Sequence, residues 1–248
     1  MSLGGHLLFS VVIPCFNEES YIEALLRSIS IQSIDKKQLE IIVVDNGSLD
    51  LTQGVVRRFF EKHLSDSACI LVDEKEKGVS RAKNTGANAS SGEYIVFLDA
   101  DNVVGEHFFR GLKAYIDSTG KLAGTFRLTS YTKWSLGRAV FFILEMIKVF
   151  LPRPFGKSFV KKEIFAKTEG FNSAIKLGEN VDFLMRVKKI CQTTAPNSFG
   201  HYKTHPLTCS NRRFRHQGYA SVLWQWLLGY LRISESHYLT FDETVGKK

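Results

Sequence analysis

A chain of 248 residues with 44% hydrophobic and 23% charged side chains has ordinary globular composition, which excludes a disordered or fibrous protein and allows one large core. The formal net charge of +8 favours anionic partners, whether nucleotide phosphates, phospholipid head groups or nucleic acid, and chooses none of them. The four cysteines, Cys15, Cys69, Cys191 and Cys209, include no C-x-x-C pair, so no zinc or redox motif is signalled, and scattered thiols fit a reducing, cytoplasmic compartment.

Residues 1–8 leave no room for the apolar core of a secretory signal. Residues 9–14 (FSVVIP) form a short apolar run rich in β-branched residues, which predicts a first strand. Ile22, Leu25, Leu26 and Ile29 then recur at helical spacing within 18–30. A second buried strand is predicted at 39–44, closed by Asp-Asn-Gly-Ser turn chemistry. A helix follows at 50–63, a strand at 69–72, a helix at 79–89 after Gly78, and a uniformly apolar strand at 94–98. Strands alternating with helices imply βαβ crossovers and a parallel sheet. Beyond Asn102 the pattern loosens: a helix at 105–116, strands at 122–130 and 156–160, and helices at 162–167 and 179–190. Two apolar stretches, 139–151 and 219–233, stand out, the first ended by Pro152 and Pro154. No internal repeat or linker is visible. The expected organisation is a single domain over 1–248, with a nucleotide-binding half at 9–105 and an acceptor-side half with a C-terminal helical segment at 106–248.

Four segments carry chemistry. Asp99-Ala100-Asp101-Asn102 follows an apolar strand directly, where ligands of open α/β sheets bind. Two carboxylates one residue apart repel, and a divalent cation bridging to diphosphate oxygens would compensate them. The plainer alternative is a turn whose Asp and Asn cap the next helix. Asp45-Asn46-Gly47-Ser48-Leu49-Asp50 offers an acid to a base or ribose, or equally a turn whose Ser48 or Asp50 caps a helix. Pro14-Cys15-Phe16-Asn17-Glu18 places an aromatic that could stack on a nucleobase or sit in the core. Lys77-Gly78-Val79-Ser80-Arg81-Ala82-Lys83-Asn84-Thr85-Gly86 begins a helix, whose N-terminus favours anions, and otherwise reads as a solvated basic face.

The order and spacing of these segments resemble family 2 glycosyltransferases with the GT-A fold. The resemblance covers residues 9–105 and, more loosely, 156–190. There, Glu169-Gly170-Phe171-Asn172 is similar to the family's G-G-F-[ND] turn, and Gly178-Glu179-Asn180-Val181-Asp182-Phe183 to G-E-D-x-D-[LF]. It implies a mainly parallel, Rossmann-like twisted sheet with helices on both faces. It further implies an inverting transfer of sugar from a nucleotide-diphosphate sugar, assisted by Mg²⁺ or Mn²⁺. By the same resemblance, Pro14, Phe16 and Glu18 line the nucleoside pocket, Asp45 contacts the base, and Arg81 approaches base or phosphates. Asp99 sits near ribose and metal, and Asp101 is the principal metal ligand.

Asn180 departs from the family, which usually carries the Asp read as general base there, and an amide takes up no proton at neutral pH. Either Glu179 or Asp182, on one helix face, acts instead, or the acceptor is already ionised, as a lipid phosphate is, or the chain is catalytically weak. Asp182 could also simply pair with Arg186, and Glu179 could be a helix N-terminal acid. His205, in a loop-like segment, is a candidate further metal ligand or a packing residue. Arg212, Arg213 and Arg215 suit a diphosphate or phosphorylated acceptor, or a solvated basic loop.

The stretches 139–151 and 219–233 are too short or interrupted for spanning helices. Trp224, Trp226, Tyr230 and Tyr238 are of the kind enriched at membrane interfaces, so peripheral contact at the inner face of a cell membrane stands beside core packing. A dinucleotide-dependent dehydrogenase, a P-loop NTPase and a sugar nucleotidyltransferase each lack their glycine-rich loop here. The basic residues are scattered without an RNA-binding aromatic motif, so nucleic acid is not an expected partner. The expected partners are a nucleotide-sugar donor and a glycan or lipid-phosphate acceptor. The runner-up is a non-catalytic nucleotide-sugar-binding protein.

Overall fold

A computed structural model describes residues 7–64, 67–130, 136–148, 153–210, 212 and 217–231. The apolar runs become eight strands: β1 (Phe9–Cys15), β2 (Leu39–Asp45), β3 (Ala68–Asp73), β4 (Tyr94–Phe97), β5 (Asn102–Val103), β6 (Ala123–Ser130), β7 (Ser158–Lys161) and β8 (Phe199–Cys209). The helices are α1 (Ile22–Ser30), α2 (Thr52–His63), α3 (Val79–Ala89), α4 (Phe108–Thr119), α5 (Leu136–Lys148), α6 (Lys162–Lys167), α7 (Glu179–Thr194) and α8 (Tyr219–Leu231).

All eight strands join one sheet, in the order β3-β2-β1-β4-β7-β6-β8-β5. β2 is buried along its whole length and β1 at every residue but Pro14, because helices cover both faces. One side buries Leu25 and Leu26 of α1, Phe59 of α2, Phe108 and Leu112 of α4, Phe141 of α5 and Val222 of α8. The other buries Ala82 of α3, Ile164 of α6, and Phe183, Leu184 and Val187 of α7. The expected α/β architecture with helices on both faces is therefore present.

Its second half differs from expectation. β1, β2, β3 and β4 pair in parallel, as the alternation of strand and helix requires. Beyond β4 the sheet is mixed: β7 runs antiparallel to β4 and β6, while β6 is parallel to β8. β8 replaces the loop expected around Lys203–Pro206. Along it, Phe126 pairs with Tyr202 and Leu128 with Leu207, so three extra residues bulge out where Pro206 has no ladder bond to make. α1 starts at Ile22 rather than at 18, and α4 at Phe108 rather than at 105. Residues 149–152 and 232–233, the ends of the two apolar stretches, lie outside the described residues, as do Arg213, Arg215 and Tyr238.

The chain runs outward through β1, β2 and β3, then returns to lay β4 on the other side of β1. That reversal opens a crevice at the carboxyl ends of β1 and β4, the place where open α/β sheets bind ligands.

Candidate active site at the sheet reversal

The loop after β1 and the loop after β2 are stitched together. The N–H groups of Asn17, Glu18 and Glu19 donate to Ser48 Oγ (2.9 Å), Thr52 Oγ1 (2.8 Å) and Asp50 Oδ2 (3.1 Å). In return, Leu49 N–H donates to Asn17 Oδ1 at 2.8 Å and Leu51 N–H to Glu19 Oε2 at 2.9 Å. Asn17 has φ of 55°, the left-handed region that Asn tolerates better than most residues. Ser48 and Asp50 thus brace the first loop. Leu51 at the N-cap of α2 makes no side-chain cap bond, but Asp50 Oδ1 accepts from Thr52 N–H at 2.9 Å, so Asp50 serves the first turn of α2 as well as the first loop.

Asp45 ends β2 and is buried. Its Oδ2 accepts from Gln53 Nε2 at 2.8 Å and from Ser48 N–H at 3.2 Å, while its Oδ1 is buried without a partner. Phe16 lies on the neighbouring loop with Lys77 Nζ 4.9 Å from its ring centroid, a cation–π contact. Asn46 leads the chain into α3, donating to Glu74 O and Glu76 O and accepting from Gly78 N–H at 2.7 Å. Arg81, on the first turn of α3, pairs with Glu76 at 2.8 Å near solvent.

The acid pair follows β4. Buried Asn102 closes its turn by accepting from Asp99 N–H at 2.9 Å and donating to Asp101 Oδ1 at 3.2 Å. α4 begins six residues after Asn102 with no side-chain cap at His107, so the acids do not serve as helix caps. Asp99 receives the Lys157 ammonium. Burial lowers the Lys157 pKa, but the charge and hydrogen bond of Asp99 outweigh it and leave it above the usual lysine value. Asp101 meets Arg212 Nε at 3.3 Å. The same guanidinium grips Glu18 with both terminal nitrogens, one at 2.6 Å, and lies 4.7 Å from the Tyr21 ring centroid. Burial pushes the Glu18 carboxyl up to about 7, against Arg212, whose hydrogen bonds and charge pull it down.

Among the described residues, no group of three or more His, Cys, Asp or Glu could hold a metal alone. Two carboxylates still fit Mg²⁺ or Mn²⁺, which take one or two protein carboxylates and complete their shell with substrate phosphates and water. The cations already drawn to Asp99 and Asp101 mark a place that demands positive charge. His205 is not part of it. It lies in β8 with its ring 6.3 Å from that of His107, over Gly111 of α4, where a Cβ would sit 2.4 Å from His205 Cδ2. The geometry supports packing for His205.

The third wall is the start of α7. Buried Lys83 of α3 donates to Asn180 Oδ1 at 2.8 Å and to Glu179 Oε1 at 3.3 Å, and its ammonium lies 4.9 Å from the Phe171 ring centroid. Burial takes its pKa below the usual lysine value although Glu179 and Asp99 pull the other way. Asp182 turns away to Arg186, whose Nε and Nη2 reach it at 3.0 and 2.8 Å, while Nη1 holds the carbonyls of Thr168 and Gly170. In that geometry Asp182 anchors Arg186, the ion pair that the i, i+4 spacing offered as its alternative role. Asn84 clamps the same turn by bonding the N–H and C=O of Phe171, each at 2.8 Å. Gly170 is required there: its φ is +78° and a Cβ would meet Asn84 Oδ1 at 2.6 Å.

Sequence reasoning passed over Lys157, weighed Asn102 only as a helix cap, and counted Lys83 only as one cation of a basic stretch. Lys157 precedes β7 and reaches the carboxyl end of β4 only because β7 runs antiparallel to β4, a pairing that no local pattern announces. Arg213 lies outside the described residues.

A family model described as glycosyl transferase family 2 matches residues 10–176. Glycosyltransferase AglE of Haloferax volcanii is 39% identical over 92 residues, which span 37% of this chain and 30% of that protein. Staphylococcus aureus TarS, solved as residues 1–349 in complex with UDP, superposes with a TM-score of 0.68 at 19% identity, covering 82% of this chain and 60% of that one. The mannosyltransferase PcManGT of Pyrobaculum calidifontis, solved with GDP-Man and Mn²⁺, gives a TM-score of 0.65 at 24% identity over 92% of this chain and 65% of that one. At these identities the two solved structures speak for the fold.

Proposed function

This chain belongs to glycosyl transferase family 2, and from that premise we propose that it transfers a hexosyl group from a nucleoside-diphosphate sugar to an acceptor on the α7 side of the crevice, with inversion and with Mg²⁺ or Mn²⁺. The observation that carries the reading is the pair Asp99 and Asp101 at the sheet reversal, each drawing a cation. Asp101 and Asp99 would hold the metal together with the donor diphosphate. When bound, the cation supplies Lewis-acid charge compensation for the departing nucleoside diphosphate. Phe16 would stack on the base and Asp45 Oδ1 accept an N–H from it; Pro14 and Glu18 complete that wall. Arg81 and Arg212 carry charge suited to the phosphates, and Arg212 must release Asp101 for the cation to enter. For a hydroxyl acceptor, Glu179 would be the base, since Asp182 is held by Arg186. Asn180 favours a second reading, a non-catalytic nucleotide-sugar binder, and turnover separates the two.

TarS and PcManGT were solved with UDP and GDP-Man respectively, so both bases are tested. Isothermal titration of UDP, GDP and their sugar conjugates, with and without Mn²⁺, is expected to select one nucleotide, bound only with metal. Asp101→Ala is expected to weaken that binding at least tenfold. No binding at saturating Mn²⁺ would sink the reading.

A further inference from the structure

A buried ammonium is costly unless partners surround it, and Lys83 has them on one side. It donates to Asn180 Oδ1 at 2.8 Å and to Glu179 Oε1 at 3.3 Å, and the Phe171 ring centroid lies 4.9 Å away. Two of these partners open α7 and the third lies on the connection before it, whereas Lys83 rises from α3. Its seat is firm. Three residues on, a Cβ at Gly86 would sit 2.4 Å from Val12 Cγ1, so α3 lies tight on the sheet there. The next residue, Asn84, bonds both the N–H and the C=O of Phe171, which fixes the ring beneath the ammonium.

The Lys83 side chain is 3% exposed and that of Glu179 14%. An acceptor can therefore reach the Glu179 carboxylate but not the ammonium behind it. Lys83 occupies Oε1 of that carboxylate and leaves Oε2 toward the opening. Glu179 does not cap its own helix, since the N-cap of α7 is Gly178, at φ of 84° and with no side-chain cap bond. Asp182, the other acid of the first turn, is held by Arg186. Asn180 accepts from the same ammonium without a charge of its own, so Glu179 shares Lys83 with no second carboxylate at that position. The charge of Asp99 also acts on Lys83, which sets this cluster on the same crevice as the acid pair. A base serving a hydroxyl must lie within hydrogen-bond reach of it and be oriented by a third group.

Resting on the glycosyl-transfer reading above, we propose that Lys83 is a positioning residue, which holds Glu179 as the base facing a neutral hydroxyl acceptor. The acceptor oxygen bonds to the anomeric carbon as the bond from that carbon to the donor diphosphate breaks. The electron pair leaves with the nucleoside diphosphate, and the acceptor proton passes to Glu179 Oε2. Lys83 keeps its own protons and touches neither substrate; it acts through Glu179.

The test uses the full chain with Mn²⁺ and the donor selected by titration, with water and a panel of methyl glycosides as hydroxyl acceptors. Turnover is read by nucleoside-diphosphate release and products by mass spectrometry. Glu179→Gln is expected to lower kcat about a hundredfold or more, the usual range for loss of a general base. Lys83→Met keeps the stem against Phe171 and removes the ammonium; it is expected to lower kcat about tenfold or more with donor affinity within about threefold of the parent chain. Lys83→Gln, which keeps one N–H donor group, serves in its place if Lys83→Met does not fold. The deciding measurement is the double variant Lys83→Met, Glu179→Gln, whose kcat is expected to lie within about threefold of Glu179→Gln alone, because residues acting as a unit are not additive. A merely structural tie between α3 and α7 would lower kcat by the same factor in both backgrounds, and that result would overturn the proposal. So would a donor affinity that falls in step with turnover, parental kcat in Glu179→Gln, or metal-dependent donor binding with no turnover to any hydroxyl or to water. Failure to bind any donor would instead remove the glycosyl-transfer reading itself.

Discussion

At the scale of single residues, Asp45 carries the clearest unmet demand. One of its oxygens is served by Gln53 and Ser48, and the other is buried with none. An unpaired buried acceptor costs about 1–3 kcal/mol, which an N–H from a bound base would offset. Asp45→Ala is therefore expected to weaken nucleotide binding by about tenfold to a hundredfold with the far-UV spectrum unchanged, read by titration calorimetry. Binding within twofold of the parent chain would move the base elsewhere. Asn180 shows how one atom changes the chemistry of a wall: an amide oriented by Lys83 presents N–H groups where a carboxylate would present oxygens.

At the scale of elements, α3 is what ties the loops after β1 and β2 to the start of α7 and the Gly170–Phe171 turn. It lies close enough on β1 and β2 that a Cβ at Gly86 would sit 2.4 Å from Val12 Cγ1 and 3.0 Å from Val44 Cγ2. From that seat it sends Lys83 to α7 and Asn84 to the Gly170–Phe171 turn. Gly86→Ala overpacks this contact and is expected to cost about 1–3 kcal/mol. For a chain of this size that lowers Tm by roughly 2–4 °C per kcal/mol, measurable by thermal denaturation. An unchanged Tm would mean that α3 can lift off the sheet freely. The β8 strand shows the opposite dependence. Its sequence FGHYKTHPLTC has no apolar run, and it is a strand because β6 on one side and β5 on the other supply its partners.

At the scale of the whole molecule, the proposed donor site joins loops from β1, β2 and β4 to Arg212, far along the chain. Ligand binding should therefore stabilise the fold as a unit. A donor nucleotide at about 100 times its Kd contributes roughly 2.7 kcal/mol, so Tm is expected to rise by roughly 5–10 °C with Mn²⁺ present. EDTA is expected to abolish the rise, and a rise that persists in EDTA would count against the metal. No described helix is long and apolar enough to cross a membrane. The sequence by itself determined the first four strands, the bounds of α3 and α6, the family, and the segments that gather at the crevice. These follow from apolar periodicity and turn chemistry, which act between near neighbours. Only the tertiary structure decided the mixed pairing beyond β4, the strand at 199–209, the packing of His205, and which charges meet. Glu18 and Arg212 lie 194 positions apart, and Lys83 and Asn180 lie 97 apart. No local pattern encodes such a pair, because its formation depends on how the sheet closes the long loops between them.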